Sequence, residues 1–237
     1  MKKKGISHIE MILSFTLFIA AVGFGLYFFN TGDSSRLVDT TLTYAIREIE
    51  GNTSTSIEVF SVGVNSSAIP NGPLALNFSG IGGNASVETY DGNILGSSRG
   101  GDGNELVYVS SNWANENVLF VSFGEEFQDG SVPTGAEHNE TYYKIGSSEV
   151  RVLLSEKKFK ALGGRYRADY KELKNQDNFN LPSRADFGFS LVFDNGINIS
   201  AENEIPDNFE VFSKTKRVEV LKEDGSRAFA DLVVKVW

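Results

Sequence analysis

The chain has 237 residues, enough for one or two domains whose core needs no covalent staples. It contains no cysteine, which excludes disulfides, thiolate nucleophiles and zinc sites built on sulfur. The formal net charge is −9 with a pI near 4.8, so the acidic body repels phosphate backbones and nucleic acid is not an expected partner.

The first thirty residues read MKKKGISHIEMILSFTLFIAAVGFGLYFFN. From Met11 to Phe29 every residue is apolar or small except Ser14 and Thr16, and about 19 helical residues span about 28 Å. The run is long enough to cross a bilayer once. Lys2, Lys3 and Lys4 precede it, so the positive-inside bias predicts a cytoplasmic N-terminus and an extracellular remainder. A secretory signal peptide has a shorter apolar region, about 7 to 15 residues, closed by a small-x-small cleavage site. Here the run ends in Leu26-Tyr27-Phe28-Phe29-Asn30, which suits an aromatic interfacial anchor. The segment is therefore expected to be kept, making a single-pass membrane protein in contact with lipid.

Lys-Lys-Lys-Gly, then Ile6-Ser7-His8-Ile9-Glu10, then the apolar run, resembles the class III leader of the type IV pilin family. The resemblance covers about a tenth of the chain, and its specificity lies in the conjunction of basic leader, glycine, four residues, glutamate and long apolar helix. It implies that a membrane prepilin peptidase cuts between Gly5 and Ile6. Residues 1–5 would be the cleaved leader, and residues 6–50 a long helix that assembles with other pilin subunits through Ile6 and Glu10. Residues 51–237 would be a β-rich extracellular head. The pilus assembly machinery in the membrane would be a further partner, and the product a cell-surface filament. No proline precedes Pro70, which makes the segment more similar to an archaeal pilin-type subunit with an unbroken helix.

The spacing has a physical rationale. Cleavage would create an α-amine on Ile6, charged at neutral pH because its reference pKa is about 8. That ammonium and the Glu10 carboxylate would both lie at the edge of hydrocarbon, where an unpaired charge costs up to about 3 kcal/mol. Pairing Glu10 with the Ile6 amine of a neighbouring subunit offsets the cost and sets register. Taken alone, a juxtamembrane glutamate simply snorkels to the headgroups. Within the helix, Ala20, Ala21, Gly23 and Gly25 make a thin patch, whereas Phe15, Phe18, Val22 and Phe29 make a bulky face. In a lone anchor that bulky face touches lipid; in a filament it packs in the core.

Asp33, Ser34 and Ser35 follow Gly32 and suit a recapping point. Val38, Leu42, Ala45, Ile46 and Ile49 then recur on one helical face. One long helix is expected from Ile6 to about Ile49, bent or briefly interrupted near Gly32, with its amphipathic second half serving as a platform for a sheet.

Beyond residue 52 the pattern is that of strands. Residues 56–62, 106–110 and 118–123 are rich in β-branched and aromatic residues and are separated by Gly, Asn, Asp and Ser clusters. Asp194-Asn195-Gly196 and Asp224-Gly225 mark two hairpins, joining 187–193 to 197–200 and 217–221 to 229–236. The glycine- and serine-rich stretch 92–103 reads as an exposed loop. Phe159, Leu162, Tyr166, Tyr170 and Leu173 step by three and four, which predicts one further helix in spite of Gly163-Gly164. The fold expected is α+β: a long N-terminal helix packed on a mostly antiparallel sheet, with one additional helix.

Six N-x-S/T sequons make Asn52, Asn65, Asn77, Asn84, Asn139 and Asn198 candidates for N-glycosylation. His8 belongs to the leader region and His138 stands alone, so no Ser-His-Asp triad or two-histidine metal site can be assembled outside the membrane. Asp91-Gly92-Asn93 and Asp102-Gly103-Asn104-Glu105 fall short of the EF-hand pattern and read as solvated turns. No carboxylate pair is singled out for catalysis. The expectation is a non-enzymatic protein without a cofactor or metal. Two functions fit: a minor or pseudopilin-like filament subunit, suggested by the large aromatic-rich head, and a membrane-anchored adhesion protein that uses the same leader without polymerising.

Overall fold

A computed structural model describes residues 6–30, 33–65, 72–110, 113, 116–128, 130–131, 138–175, 178–182 and 184–237. Helix α1 covers Ile6–Asn30 and helix α2 covers Asp33–Thr53. Eight strands follow: β1 (Ser54–Val64), β2 (Leu74–Asn77), β3 (Asn84–Thr89), β4 (Ile94–Leu95), β5 (Ser97–Gly100), β6 (Leu106–Val109), β7 (Val118–Gly124) and β8 (Tyr143–Ser155). Helices α3 (Glu156–Ala168) and α4 (Tyr170–Lys174) come next, then β9 (Phe187–Phe193), β10 (Asn198–Ala201), β11 (Phe212–Leu221) and β12 (Arg227–Val236). The chain is thus mixed α and β, with one N-terminal apolar helix and a large, mostly antiparallel sheet.

That sheet has nine strands in the order β10-β9-β12-β11-β8-β1-β7-β3-β4, and a second sheet has the order β2-β6-β5. Every registered pair is antiparallel except β11 with β8, which are parallel and share only Val220 opposite Leu154 and Leu221 opposite Ser155. This short parallel seam joins two halves with separate cores. On one side, Leu42, Ala45, Ile46 and Ile49 of α2 and Phe159, Leu162 and Tyr166 of α3 pack on Phe187, Phe189, Leu232 and Val234. The predicted apolar face of α2 is therefore the buried one, with Val38 partly buried beside it. On the other side, Val62, Leu76, Val107, Trp113, Leu119 and Val121 fill the second core. A small cluster of Ile57, Val59, Phe127, Leu153 and Leu221 lies between the two.

Strand β1 serves more than one core, and its register against β8 shifts between Phe60 and Val62. Burial falls on Thr55, Ile57 and Val59 before the irregularity and on Val62 and Val64 after it. The register of β1 with β7 is continuous from Glu58 to Gly63, so the two sets lie on opposite faces of β1. The extra residue at the irregularity belongs to β8, where Ser148 to Ile145 takes three steps against two from Phe60 to Val62.

Three sequence expectations need correction. The single helix over 157–174 is two helices, and the break is at Asp169 rather than at Gly163-Gly164. Asp169 has φ −150° and ψ 79°, its N–H donates to the Arg165 carbonyl, and its carboxylate accepts the Glu172 N–H at 2.9 Å. One aspartate thus ends α3 and caps α4, while the apolar stripe runs on through both. The stretch 92–103 is not a plain loop, since it carries β4 and β5. Ser98 and Arg99 are buried there, the Arg99 guanidinium donating to the Ile81 carbonyl at 2.5 Å and lying 4.9 Å from the centre of the Phe123 ring. Helix α2 also runs past residue 50, to Thr53, and passes directly into β1.

Candidate membrane and assembly segment

Residues His8–Gly25 of α1 have a mean hydropathy of 1.7 and none of this window is buried inside the molecule. It is the one described helix long and apolar enough to cross a membrane. Ile9, Met11, Ile12, Leu13, Phe15 and Leu17 are all mostly exposed, so apolar side chains surround the helix rather than forming one stripe. The Thr16 hydroxyl donates to the Ile12 carbonyl at 2.9 Å, which satisfies within the helix a group that hydrocarbon would leave unpaired. Gly23 and Gly25 have nothing within 4 Å of an added Cβ, so the helix is thin and open at both positions, which two residues apart lie on different faces.

Ile6 is the first residue of α1 and Glu10 lies four residues on, exposed and one turn along the same face. Gly5 and the lysines before it lie outside the described residues. Glu10 is the sole acidic residue of α1, and the polar residues of that helix besides it are Ser7, His8, Ser14, Thr16 and Asn30.

The six sequon asparagines fall into different settings. Asn139 is exposed, and its Oδ1 accepts the Thr141 N–H at 3.0 Å and the Thr141 hydroxyl at 2.8 Å. Asn65 and Asn198 are exposed, at the end of β1 and the start of β10. Asn52 is exposed near the end of α2 with Nδ2 donating to the Glu48 carbonyl at 2.8 Å. Asn77 and Asn84 are half-buried in strands. The Asn84 Nδ2 donates to the Phe127 carbonyl at 2.7 Å, and the Asn77 Oδ1 is buried without a hydrogen-bond partner among the described residues.

Elsewhere polar clusters fasten the fold. A cleft of about 210 Å³ is lined by Glu126, Ser155, Lys157 and Glu223. The Ser155 hydroxyl donates to Glu126 at 2.6 Å while accepting the Lys158 N–H at 3.1 Å, so it caps α3. His138 sits 3.3 Å from the Tyr143 hydroxyl. The turn at Asp91-Gly92-Asn93 is closed by hydrogen bonds to Thr89, with φ 84° at Gly92. Among the described residues no three His, Cys, Asp or Glu gather in a way that would hold a metal ion.

Comparison of the chain with models of known protein families, with characterised proteins and with solved structures finds no match in any of the three.

Proposed function

We propose that this chain is a structural subunit of a type IV pilus-like surface filament, made as a single-pass membrane precursor and cut after Gly5. The observation that carries the reading is Glu10, the one carboxylate of α1, one turn from Ile6 and at the edge of a long run that is apolar apart from Ser14 and Thr16. A helix of this kind has two stable environments: lipid, and a bundle of its own copies. In the bundle the exposed apolar surface of α1 is covered by neighbouring subunits, and Glu10 is neutralised by the amine that cleavage creates on a neighbouring Ile6. The amphipathic α2, seated on the sheet, connects this stem to the outward-facing head. Alternating polar clusters and capped turns on the head offer contact surface, and we assign it no catalytic role.

Two measurements test the reading. Mass spectrometry of surface material is expected to find a mature N-terminus at Ile6. Glu10→Gln is expected to leave cleavage and surface display intact while abolishing filament incorporation. Normal filament yield from that variant overturns the pairing. Correct cleavage with no filament from the wild-type chain favours the membrane-anchored adhesion protein.

A further inference from the structure

We infer that Asn139 carries an N-linked glycan and that Asn52, Asn77 and Asn84 do not, an inference resting on the proposed extracellular placement of the head. A sequon is a necessary motif, but transfer also needs an exposed carboxamide with a free nitrogen and a hydroxyl two residues on. Asn139 combines these. The Thr141 backbone nitrogen can only donate, so the Asn139 atom 3.0 Å from it is the carbonyl oxygen Oδ1, and the Thr141 hydroxyl donates to the same oxygen at 2.8 Å. Both donors thus hold one arm of the planar carboxamide. The other arm, Nδ2, has no partner among the described residues. Two donors on Oδ1 also draw electron density toward oxygen and make the Nδ2 protons more acidic.

The transfer is balanced with a sugar donor of the lipid-linked phosphate class. Nδ2 bonds to the anomeric carbon, the bond from that carbon to the phosphate oxygen breaks with its electron pair staying on phosphate, and one Nδ2 proton passes to a base of the transferase.

Three of the other sequons are blocked by the fold. At Asn84 the nitrogen that would bear sugar is spent on the Phe127 carbonyl, and the next residues, Ala85 and Ser86, are buried in β3. At Asn77 the following residue is Phe78, which is 3% exposed and packs edge-on against Phe60 and Phe123. Presenting that sequon would mean pulling an aromatic ring from the core. At Asn52 the nitrogen is bonded to Glu48, and the hydroxyl of the sequon serine, Ser54, goes to the Glu50 carbonyl at 2.5 Å.

The test uses the full chain purified from membranes of the cells that make it. Because the chain lacks cysteine, Tyr90→Cys, at a residue 75% exposed, reports the side of the membrane through a maleimide that cannot enter intact cells. Glycopeptide mass spectrometry then reads each sequon. The expected result is labelling at position 90, glycan on Asn139, loss of that glycan in Thr141→Val and its retention in Thr141→Ser. Labelling without glycan on Asn139, or with glycan on Asn52, Asn77 or Asn84, overturns the inference and leaves the extracellular placement standing. Failure to label in intact cells, with labelling after lysis, overturns both.

Discussion

The Tyr170 hydroxyl donates to Asp186 Oδ1 at 2.8 Å and accepts the Phe187 N–H at 3.0 Å, so one phenol ties α4 to the start of β9. Tyr166 makes the matching contact, its hydroxyl donating to the Phe187 carbonyl at 2.5 Å and accepting the Asn203 N–H at 3.2 Å. Both backbone groups of Phe187 thus end on tyrosines. Burial pushes Tyr166 up to about 12 and Tyr170 higher still, so both stay protonated donors at physiological pH. Tyr170→Phe keeps the ring but strands the Phe187 N–H, and is expected to cost about 1–2 kcal/mol. For a chain of this size that is a fall in melting temperature of about 2–8 °C, measurable in detergent by circular dichroism. An unchanged melting temperature would refute the role.

Acid should act on the same junction. Burial alone would raise the Asp186 pKa, but hydrogen bonds from Lys174 and Tyr170 outweigh it and hold the carboxyl below its ordinary value. The folded state then binds fewer protons here than the unfolded state. Its contribution is complete above the unfolded value, about 4, and is lost as pH falls through the lower folded value. Asp194, held down by Arg217, and Asp224, where bonds from Ser226 overcome burial, act in the same direction. Melting temperature should therefore drop between about pH 5 and pH 3, and less steeply in Asp186→Asn. A wild-type profile flat across that range would contradict the argument.

Where periodicity controls structure, the elements were legible from residues alone. The apolar run of α1, the buried face of α2 and both hairpins follow from repeats of 3.6 and 2 and from turn residues. Strand β5 was not legible, because Ser97-Ser98-Arg99-Gly100 has no β-branched or aromatic residue. It is held by pairing with β6 and by the contacts of Arg99 with Ile81 and Phe123, residues distant in sequence. Much of β8, from Lys144 to Val150, is exposed and owes its strand conformation to the long ladder with β1 rather than to its own pattern. The parallel seam between β8 and β11 depends on where both hairpins settle, which no local signal encodes. Of the candidate site, Glu10 was legible because a carboxylate in an apolar helix is costly. The differences among sequons were not, since they depend on which amides the fold consumes.

Strands β12 and β3, well apart in the large sheet, are linked by Arg227 and Glu88, 2.7 Å apart and separated by 139 residues in the chain. Their side chains are only 19% and 15% exposed. Removing Glu88 leaves the poorly solvated Arg227 facing Glu219 at 3.9 Å, so Glu88→Ala should destabilise by about 1–3 kcal/mol. Arg151→Ala should cost under about 1 kcal/mol, because the Arg151–Glu149 pair is exposed. Glu88→Ala with Arg227→Ala should cost less than the sum of the single changes. Additive losses in chemical denaturation would show that the pair is uncoupled.

Two glycines should respond to alanine with opposite signs. Gly83 has φ 84°, and a Cβ there would sit 3.2 Å from the carbonyl carbon and oxygen of Gly124 in β7. Neither the backbone angle nor a paired strand yields cheaply, so Gly83→Ala should cost about 1–3 kcal/mol. Gly164 lies within α3, has an ordinary helical φ, and has nothing within 4 Å of an added Cβ. There alanine removes backbone freedom from the unfolded chain without a clash, and Gly164→Ala should stabilise by about 0.5–1 kcal/mol. The neighbouring Gly163 is a useful control, because its Cβ would meet the Ala201 side chain at 3.7 Å, an ordinary contact. If Gly164→Ala destabilised the protein while Gly163→Ala did not, α3 would have to be packed the other way round on β10.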